Sequence, residues 1–413
     1  AEGLSVEGAL GRARAFGPGL AVLQAAVPSL AADAAFAEAL RGAVPGVSVA
    51  AWGADFARDP GASLEALPAF DAVIFGRPEP ALAAFGATGS WESVPGAAWR
   101  RDRAAAVNPA QADDGAPFSE LRPARHLLSQ GLYVRPDTGA PQAVVVTGQG
   151  CPFQCSFCLV PCQRGGKVWL RDPASVVAEL EECVRSHGIR DFLLHADTFT
   201  LDRSWVLALC AAISGSRLGV RWVCNSRADT LDEGLVAAMA GAGCWGVSLG
   251  LESGLDATLE RLRKGHTVRQ EAEAVGLLRA AGILSFGYFM MGFPWEDAAS
   301  IEASFEGLLR ADPDLLEITF PMPFAGTVLA SEVARAGMSV DPERLVDAYS
   351  RPVIAGGPVP PSELERLRSK FLRRFYFRPR SLRRTLGHLF RSCGPAGLPA
   401  AAWRAGRKWA ALP

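Results

Sequence analysis

The stretch PQAVVVTGQGCPFQCSFCLVPC, residues 141–162, joins an apolar segment to a loop that carries four of the nine cysteines of the chain. An apolar run like that at 141–148, ending in a glycine, is typical of a buried β-strand in a parallel sheet. Cys151, Cys155 and Cys158 follow it in CxxxCxxC spacing. The group that these cysteines hold is therefore the first question about the chemistry of the chain.

The length and composition of the chain favour a globular protein of more than one domain. It has 413 residues, 49% of them hydrophobic, and a net charge of −1. Single domains usually contain roughly 100 to 200 residues, and a charge near zero gives no general attraction to nucleic acid or anionic membranes. No apolar run reaches the roughly 18 residues that a membrane span requires, and no secretory signal is recognisable. We therefore predict a cytoplasmic protein with no nucleic-acid partner.

The first hundred or so residues carry the pattern of a partial, doubly wound, Rossmann-like α/β sheet. Strand patterns at 17–30, 47–53 and 71–76 are separated by an Ala-rich helix pattern at 31–43 and a helix-like segment at 61–67. Such sheets bind ligands at the carboxyl ends of their strands, here near Ser29, Gly53 and Gly76. Three strands make a thin sheet, so we expect further strands upstream of residue 1. A purely structural α/β layer is the alternative.

Regular alternation of strands and helices begins at residue 141 and predicts a closed or partly closed parallel (βα)6 barrel. After the first strand, strands are predicted near 190–195, 219–224, 245–251, 283–290 and 315–320, and helices near 173–187, 202–214, 231–242, 267–281 and 297–310. The predicted domains are a Rossmann-like domain at 1–100, a connector at 101–140 with a short helix near 124–128, the barrel at 141–330 and a helical C-terminal region at 331–413. Chemistry in such barrels lies at the C-terminal ends of the strands.

The clustered cysteines admit more than one ligand. In a reducing cytoplasm they are more often metal ligands or catalytic groups than disulfides. Three thiolates suit a 4Fe4S cluster that keeps one iron open for another ligand. A structural zinc site needs four ligands, and Cys162 is available as the fourth. The residues therefore favour a cluster and leave a zinc site, or inert buried thiols, as alternatives.

CxxxCxxC with an aromatic residue, Phe157, before its last cysteine resembles the signature of the radical S-adenosylmethionine (SAM) superfamily. Further motifs resemble, in order and spacing, the subfamily with a cobalamin-binding domain ahead of the barrel: RPARHLL (122–128), HADTFT (195–200), RADTLD (227–232), GLESG (250–254), RKGHT (263–267) and GYFMMGFPWE (287–296). That subfamily includes the anaerobic magnesium-protoporphyrin ester cyclase, hopanoid-modifying enzymes and many C-methyltransferases. The resemblance covers residues 18–330.

The resemblance implies a partial βα barrel with a 4Fe4S cluster on Cys151, Cys155 and Cys158. The open iron would bind the amino and carboxylate groups of SAM, and an electron from a flavodoxin- or ferredoxin-type donor would release a 5'-deoxyadenosyl radical. Four polar residues at the ends of predicted strands are candidates for contacts with SAM: Asp197, Asn225, Arg227 and Glu252. Glu252 resembles the acidic residue that contacts SAM in the family, and a turn or rim position is the alternative for each. His195 is predicted to line or pack rather than to bind metal.

Cobalamin is the third cofactor that the resemblance implies. Two stretches of the N-terminal sheet, PGVSVAAWGADFARDP and FDAVIFGRPEPAL, resemble the second half of the cobalamin domain, whose first half is not matched. The Asp-x-His-x-x-Gly motif that supplies an axial histidine in many cobalamin proteins is absent, and the first of the five histidines is His126. We therefore expect any cobalamin to lie at the three strand ends named above, without a histidine ligand from this domain.

Three functions follow as hypotheses. The first is a radical SAM enzyme that transfers a methyl group through cobalamin to an unactivated carbon. The second is a radical SAM oxidation, ring closure or rearrangement without a working cobalamin, and the third is a zinc- or cluster-binding protein without enzymatic activity. The apolar stretches FPMPFAGT (320–327) and FYF (375–377) predict an apolar wall, hence a small-molecule substrate of lipid, tetrapyrrole or polyketide-like character.

The C-terminal region carries a basic amphipathic helix pattern. Nine of the nineteen residues from 366 to 384 are Lys or Arg, while Leu367, Phe371 and Phe375 keep helical spacing. One interpretation is peripheral contact with a membrane surface or with an anionic substrate. The other is a solvated helix that covers the barrel.

Overall fold

A computed structural model describes residues 3–101, 104–109, 122–135, 137–347, 349–390 and 392. Parts of the predicted connector, 102–103, 110–121 and 136, and most of the end of the C-terminal region, 391 and 393–413, lie outside the described residues. The chain divides into two compact units, residues 1–114 with 345–347 and residues 115–344 with 348–413. Each unit has its own main sheet and its own apolar core.

The first unit is an α/β sheet with parallel and antiparallel strands. Its elements are α1 (Val6–Phe16), β1 (Leu20–Gln24), α2 (Leu30–Ala43), β2 (Ser48–Trp52), α3 (Pro60–Glu65), β3 (Ala72–Ile74), α4 (Pro78–Thr88), β4 (Ala97–Arg101) and β5 (Ala104–Val107). The strands lie in the order β1-β2-β3-β4-β5. β1, β2 and β3 are parallel to one another, β4 is antiparallel to β3, and β5 is antiparallel to β4. Buried side chains cover both faces, with Val49 and Val73 on one side and Ala50 and Ile74 on the other, as parallel strands require.

Two details of this unit differ from the sequence prediction. β1 ends at Gln24 rather than at Ser29, because a turn precedes α2 and Pro28 within it has no backbone N–H to donate to a sheet. β4 and β5 lie where no periodicity was evident. Their inward positions are mostly alanines, such as Ala97 and Ala98, and alanine is a weak strand signal.

The second unit contains the barrel. Its elements begin with β6 (Gln142–Val146), β7 (Gly148–Gln149), α5 (Val160–Arg164), β8 (Trp169–Leu170), α6 (Pro173–His187), β9 (Asp191–His195), α7 (Arg203–Ser216), β10 (Arg221–Ser226) and α8 (Glu233–Gly241). They continue with β11 (Cys244–Glu252), α9 (Asp256–Arg261), α10 (Val268–Ala280), β12 (Leu284–Met290), α11 (Ala298–Ala311), β13 (Leu315–Thr319), α12 (Val328–Arg335), β14 (Ser339–Val340), β15 (Ile354–Ala355) and α13 (Pro361–Tyr376). The predicted short helix near 124–128 is a 3-10 turn, Arg125–Leu127.

Six parallel strands form the main sheet of this unit in the order β6-β9-β10-β11-β12-β13. Each strand therefore pairs with the next one along the chain, as in a βα barrel, and β6 and β13 are the two edges. The predicted partial (βα)6 barrel is confirmed. One face of the sheet is buried under helices, while the other face carries the exposed side chains of Val144, His195, Tyr288 and Glu317. The inner face of the barrel is therefore open to solvent.

The basic amphipathic pattern of the C-terminal region forms α13, which packs on the barrel. Phe371 stacks on Phe305 of α11 with ring centroids 4.1 Å apart, and the Tyr376 hydroxyl donates to the Leu316 carbonyl oxygen at 2.7 Å. Lys370 pairs with Glu302 at 2.5 Å, and Arg374 pairs with Glu306. The charges of α13 are thus partly neutralised by α11, which favours the covering-helix interpretation. Among the described residues, no helix combines the length and apolarity needed to cross a membrane.

Candidate metal and cofactor site

The cysteine loop is fixed between two short strands at the C-terminal end of β6. β7 and β8 pair antiparallel just before and after it. Gly150 has a φ of +89°, and a Cβ there would lie 1.8 Å from the Lys167 carbonyl oxygen, so only glycine fits. The Gly150 N–H donates to Asp197 Oδ2 at 2.6 Å. Asp197, at the end of β9, therefore holds the start of the loop.

Three thiols of the loop are free and half-buried. Cys151, Cys155 and Cys158 form no disulfide, and the Ser156 N–H donates to the Leu262 carbonyl oxygen at 2.9 Å, which ties the loop to the end of α9. Burial raises the pKa of Cys155 and raises that of Cys158 to about 11. Because burial disfavours the bare thiolates, metal coordination would stabilise them. These soft donors fit an iron-sulfur cluster with one open iron.

Cys162 differs from the three half-buried thiols of the loop. It is exposed, and its thiol donates to the Gly326 carbonyl oxygen at 3.4 Å. Within the described part of the chain, no three His, Cys, Asp or Glu side chains converge in the way that a single metal ion requires. A 4Fe4S cluster binds each cysteine through a different iron atom and makes no such demand.

A buried guanidinium lies beside the loop. Arg227 follows β10 and is 5% exposed; its Nη1 lies 3.8 Å from Cys155 Sγ, and its Cζ lies 3.6 Å from the ring centroid of Phe153. Its Nε and Nη2 donate to the two carboxylate oxygens of Asp229 at 2.9 and 2.8 Å, and Nη2 also donates to the Lys264 carbonyl oxygen. The guanidinium is therefore held rigidly against the sulfur.

Glu252 and Lys264 form a second buried ion pair. Lys264 Nζ lies 2.8 Å from Glu252 Oε1, and the two residues are 5% and 7% exposed. A Cβ on Gly250 would lie 2.6 Å from Glu252 Oε1 and 2.8 Å from Lys264 Nζ, so the glycine makes room for the pair. Burial opposes the charge of Lys264, but the charges of Glu252 and Cys155 raise its pKa overall. Glu252 is therefore a buried, paired carboxylate and not an exposed turn residue.

A further layer of buried charges supports Arg227 from behind. His266 Nε2 lies 3.0 Å from Glu271 Oε1, and His266 Nδ1 lies 3.6 Å from Asp229 Oδ1. Burial opposes the charge of His266, but its contacts with the carboxylates of Asp229 and Glu271 raise its pKa. Burial likewise opposes the Asp229 carboxylate, while the nearby His266 ring and the hydrogen bonds from Arg227 hold its pKa well below its usual range. Asp229 is thus kept as the anion that orients Arg227.

The structure gathers the candidates of the barrel and places the others in the first unit. Asn225 Nδ2 donates to the Asp197 carbonyl oxygen at 3.2 Å. The cysteines, Asp197, Asn225, Arg227 and Glu252 therefore share the C-terminal edge of the barrel strands. His195, predicted to line or pack, is exposed on the inner face of β9. The partners Lys264, Asp229 and His266 were not predicted, although two of the quoted motifs, RADTLD and RKGHT, contain them. No sequence signal marked Glu271.

The three small residues of the first unit lie in different surroundings. The Ser29 hydroxyl donates to Asp33 Oδ2 at 2.7 Å at the start of α2. A Cβ on Gly53 would lie 2.3 Å from the Ala25 carbonyl oxygen, which excludes any side chain there. A Cβ on Gly76 would lie 3.4 Å from Gly96 Cα, an ordinary contact. Gly76 is thus the glycine of this edge that could accept a larger side chain.

Residues 145–307 match the sequence profile of the Radical SAM superfamily. The chain therefore contains a radical SAM domain, as the cysteine motif and the barrel pattern predicted. The chain is 33% identical over 191 residues to an uncharacterized methyltransferase of Pyrococcus horikoshii, and the alignment covers 46% of this chain and 42% of the relative. It is 29% identical over 216 residues to the anaerobic magnesium-protoporphyrin IX monomethyl ester cyclase of Rubrivivax gelatinosus, and this alignment covers 50% of this chain and 38% of the relative. The chain spans less than half the length of these curated relatives.

A solved structure shares the fold. The radical S-adenosylmethionine methyltransferase TsrM from Kitasatospora setae, determined with cobalamin and a [4Fe-4S] cluster bound, superposes with a TM-score of 0.62 at 22% identity. The superposition covers 79% of this chain and 68% of that chain. This likeness confirms the predicted fold class, an α/β chain with a radical SAM barrel.

Proposed function

We propose that this chain is a radical SAM enzyme whose 4Fe4S cluster is bound by Cys151, Cys155 and Cys158. When bound, the cluster would supply the electron that cleaves SAM to a 5'-deoxyadenosyl radical. One observation carries the proposal: three free, half-buried thiols lie at the C-terminal end of the first barrel strand with the Arg227 guanidinium 3.8 Å from one of them. A buried cation beside the sulfur would offset the negative charge of a thiolate-bound cluster.

The Glu252–Lys264 pair supports SAM binding at the same edge. The amino acid part of SAM carries an ammonium and a carboxylate, and the pair presents one charge of each sign 2.8 Å apart. We propose that Glu252 accepts from the SAM ammonium while Lys264 attracts its carboxylate. Asp197 and Asn225 hold the neighbouring strand ends, and Arg227 borders the cluster, so all three contribute to the shape of the site.

Substitution of single cysteines tests the cluster. Cys155→Ala leaves two thiolates, too few to hold a cubane with one open corner, so anaerobic reconstitution with iron and sulfide should give neither cluster absorption nor SAM cleavage. Cys162→Ala is the matched control and should keep both. If Cys162 proves as necessary as Cys155, or if the protein binds zinc and remains colourless, the cluster proposal fails.

We propose methyl transfer through cobalamin to an unactivated carbon as the overall reaction. The name of the Pyrococcus relative and the cobalamin in the structure of TsrM support it, together with the α/β sheet of the first unit. The proposed position is the strand-tip edge marked by Ser29, Gly53 and Gly76. The chain has no histidine before His126, so the cobalamin would lack a histidine ligand from this unit.

The second candidate is a radical SAM ring closure, oxidation or rearrangement without cobalamin. The 29% sequence identity to the Rubrivivax cyclase favours this second candidate. The visible spectrum of the protein after purification with hydroxocobalamin separates the two candidates, because only the first predicts a bound corrinoid.

The open inner face of the barrel supports a small-molecule substrate. Val144 is 50% exposed and Tyr288 39% exposed on that face, so a substrate has access to the sheet below the cluster loop. We propose an apolar or lipid-like substrate, reduction by a flavodoxin- or ferredoxin-type donor, and a cytoplasmic location. We also propose the domain limits 1–100, 101–140, 141–330 and 331–413.

A further inference from the structure

Part of the basic C-terminal sequence converges on a cavity that the proposed reaction does not use. The cavity has a volume of about 320 Å³, and Arg279, Leu284, Asp314, Arg383 and Arg384 are among its lining residues. Leu284 begins β12 and Asp314 immediately precedes β13. The cavity therefore lies at the N-terminal ends of these strands, whereas the cysteine loop follows the C-terminal end of β6.

The charges around this cavity do not balance. Asp312 is paired with four arginines: Arg378 at 3.2 Å, Arg384 at 2.9 Å, Arg279 at 3.4 Å and Arg380 at 3.5 Å. Asp314 accepts from the Ser285 N–H and hydroxyl at 3.0 and 2.9 Å, and it lies 3.4 Å from Arg384. With Arg383 in the cavity wall, five arginines face two aspartates, which leaves an excess of three positive charges.

Two of these guanidinium groups are available to a ligand. The Arg383 side chain is exposed and makes no hydrogen bond or ion pair with another described residue. The Arg279 side chain is 40% exposed. Guanidinium groups bind phosphate oxygens through paired N–H donors, and the cavity is about ten times the roughly 30 Å³ that one water molecule occupies. We propose that this cavity binds a phosphate-bearing ligand.

A bound phosphate would link two parts of the second unit. Arg279 belongs to α10, while Arg383 and Arg384 belong to the helical residues 379–390 that follow α13. A ligand held by both would fasten the end of the C-terminal region to the barrel. Because it would bind the folded protein and not the unfolded chain, it would raise the thermal stability of the protein. This site is independent of the proposed SAM chemistry.

Titration with inorganic pyrophosphate tests the proposal. Calorimetry and thermal unfolding are measured for the wild type, for Arg383→Gln and for Arg373→Gln, a control that removes an exposed arginine of α13 outside the cavity. The wild type should bind pyrophosphate and unfold at a higher temperature. Arg383→Gln should weaken binding at least tenfold, and Arg373→Gln should leave it unchanged. Because the Arg383 side chain is exposed and pairs with no described residue, its replacement should leave the fold intact.

A second arm separates a free phosphate compound from a lipid headgroup. Vesicles of phosphatidylcholine with and without phosphatidic acid are mixed with the same three proteins. Binding to phosphatidic acid that Arg383→Gln abolishes, and that pyrophosphate displaces, would identify a headgroup as the ligand source, whereas pyrophosphate binding without vesicle binding would identify a soluble one. Absence of both, or equal weakening by the two arginine variants, would overturn the proposed site.

Discussion

The carboxylate of Glu252 is buried against a lysine ammonium, and its replacement has a defined consequence. Glu252→Gln keeps the shape but removes the charge that we expect to meet the SAM ammonium. Loss of a charge-assisted hydrogen bond costs about 1.5 to 3 kcal/mol, so SAM affinity should fall roughly ten- to hundredfold, as measured by calorimetry on the reconstituted protein. Glu260→Gln, at an exposed position of α9, is the control. Normal cluster content with unchanged SAM affinity would remove Glu252 from the binding site.

Arg227 presents a positive charge to Cys155, and this contact should set the reduction potential of the cluster. Hydrogen bonds and positive charge near cluster sulfurs stabilise the reduced, more negative state. Arg227→Gln should therefore lower the midpoint potential, with about a tenfold fall in the reduced-to-oxidised ratio at a fixed solution potential, equal to about 59 mV for one electron. The measurement is a potentiometric titration followed by electron paramagnetic resonance without SAM.

The matched control for Arg227 is Arg203→Gln. Arg203 also pairs with an aspartate, Asp232 at 2.7 Å, but both side chains are about half exposed. Arg203→Gln should therefore leave the midpoint potential of the cluster unchanged. Arg227→Lys, which keeps the charge but loses the two-pronged contact with Asp229, should give a smaller shift. Equal potentials for Arg227→Gln and the wild type would show that the guanidinium does not act on the cluster.

The turn after β12 depends on one buried carboxylate. Glu296 Oε2 accepts from the N–H groups of Gly292 and Phe293 at 2.9 and 3.0 Å, while Oε1 is buried without a hydrogen-bond partner among the described residues. Burial outweighs these two hydrogen bonds and raises the pKa of Glu296 from 4.5 to about 7. The folded protein therefore binds more protons than the unfolded chain between these values, and its stability falls as the pH rises through that window.

Replacement of this carboxyl group should remove that part of the pH dependence. The loss in the wild type amounts to at most about 3 kcal/mol. Glu296→Gln keeps an acceptor for both N–H groups and cannot ionise, so its free energy of unfolding should depend less on pH between about 4.5 and 7. Urea denaturation at pH 5 and pH 8 measures the difference. The same slope in Glu296→Gln as in the wild type, with Glu260→Gln as reference, would rule out ionisation of Glu296 as its cause.

The elements of the barrel were predictable because their apolar runs are long and regularly spaced. β6 and β9 to β13 coincide with the predicted strands, since each carries a short apolar run, which in β10 consists of Trp222, Val223 and Cys224. β4 and β5 were missed because alanine gives little strand signal. The pairs Arg227–Asp229 and Glu252–Lys264 were also missed as pairs. The residue types were visible, but which charges meet depends on the register of strands and on loops far apart in sequence.

At the scale of the whole molecule, the two units have separate apolar cores. A substitution in the first unit should therefore leave the folding of the barrel and its cluster intact. A bulky replacement of Gly53, however, cannot test cobalamin binding, because any side chain there meets the Ala25 carbonyl oxygen and would disrupt the sheet itself. A variant at the strand edge must change the surface without changing the backbone.

Gly76→Leu meets that requirement and tests whether cobalamin binds at the strand tips of the first unit. A Cβ at Gly76 makes only an ordinary contact with Gly96, so the sheet should keep its fold while the added side chain occupies the surface where the macrocycle would lie. Protein purified with hydroxocobalamin should show a corrinoid spectrum in the wild type and in Gly86→Leu, a control on the open side of α4. Gly76→Leu should lose most of the corrinoid and all methyl transfer but keep SAM cleavage. Wild-type corrinoid content in Gly76→Leu would show that the cofactor lies elsewhere, and a wild type without corrinoid would leave the cobalamin-independent reaction as the function.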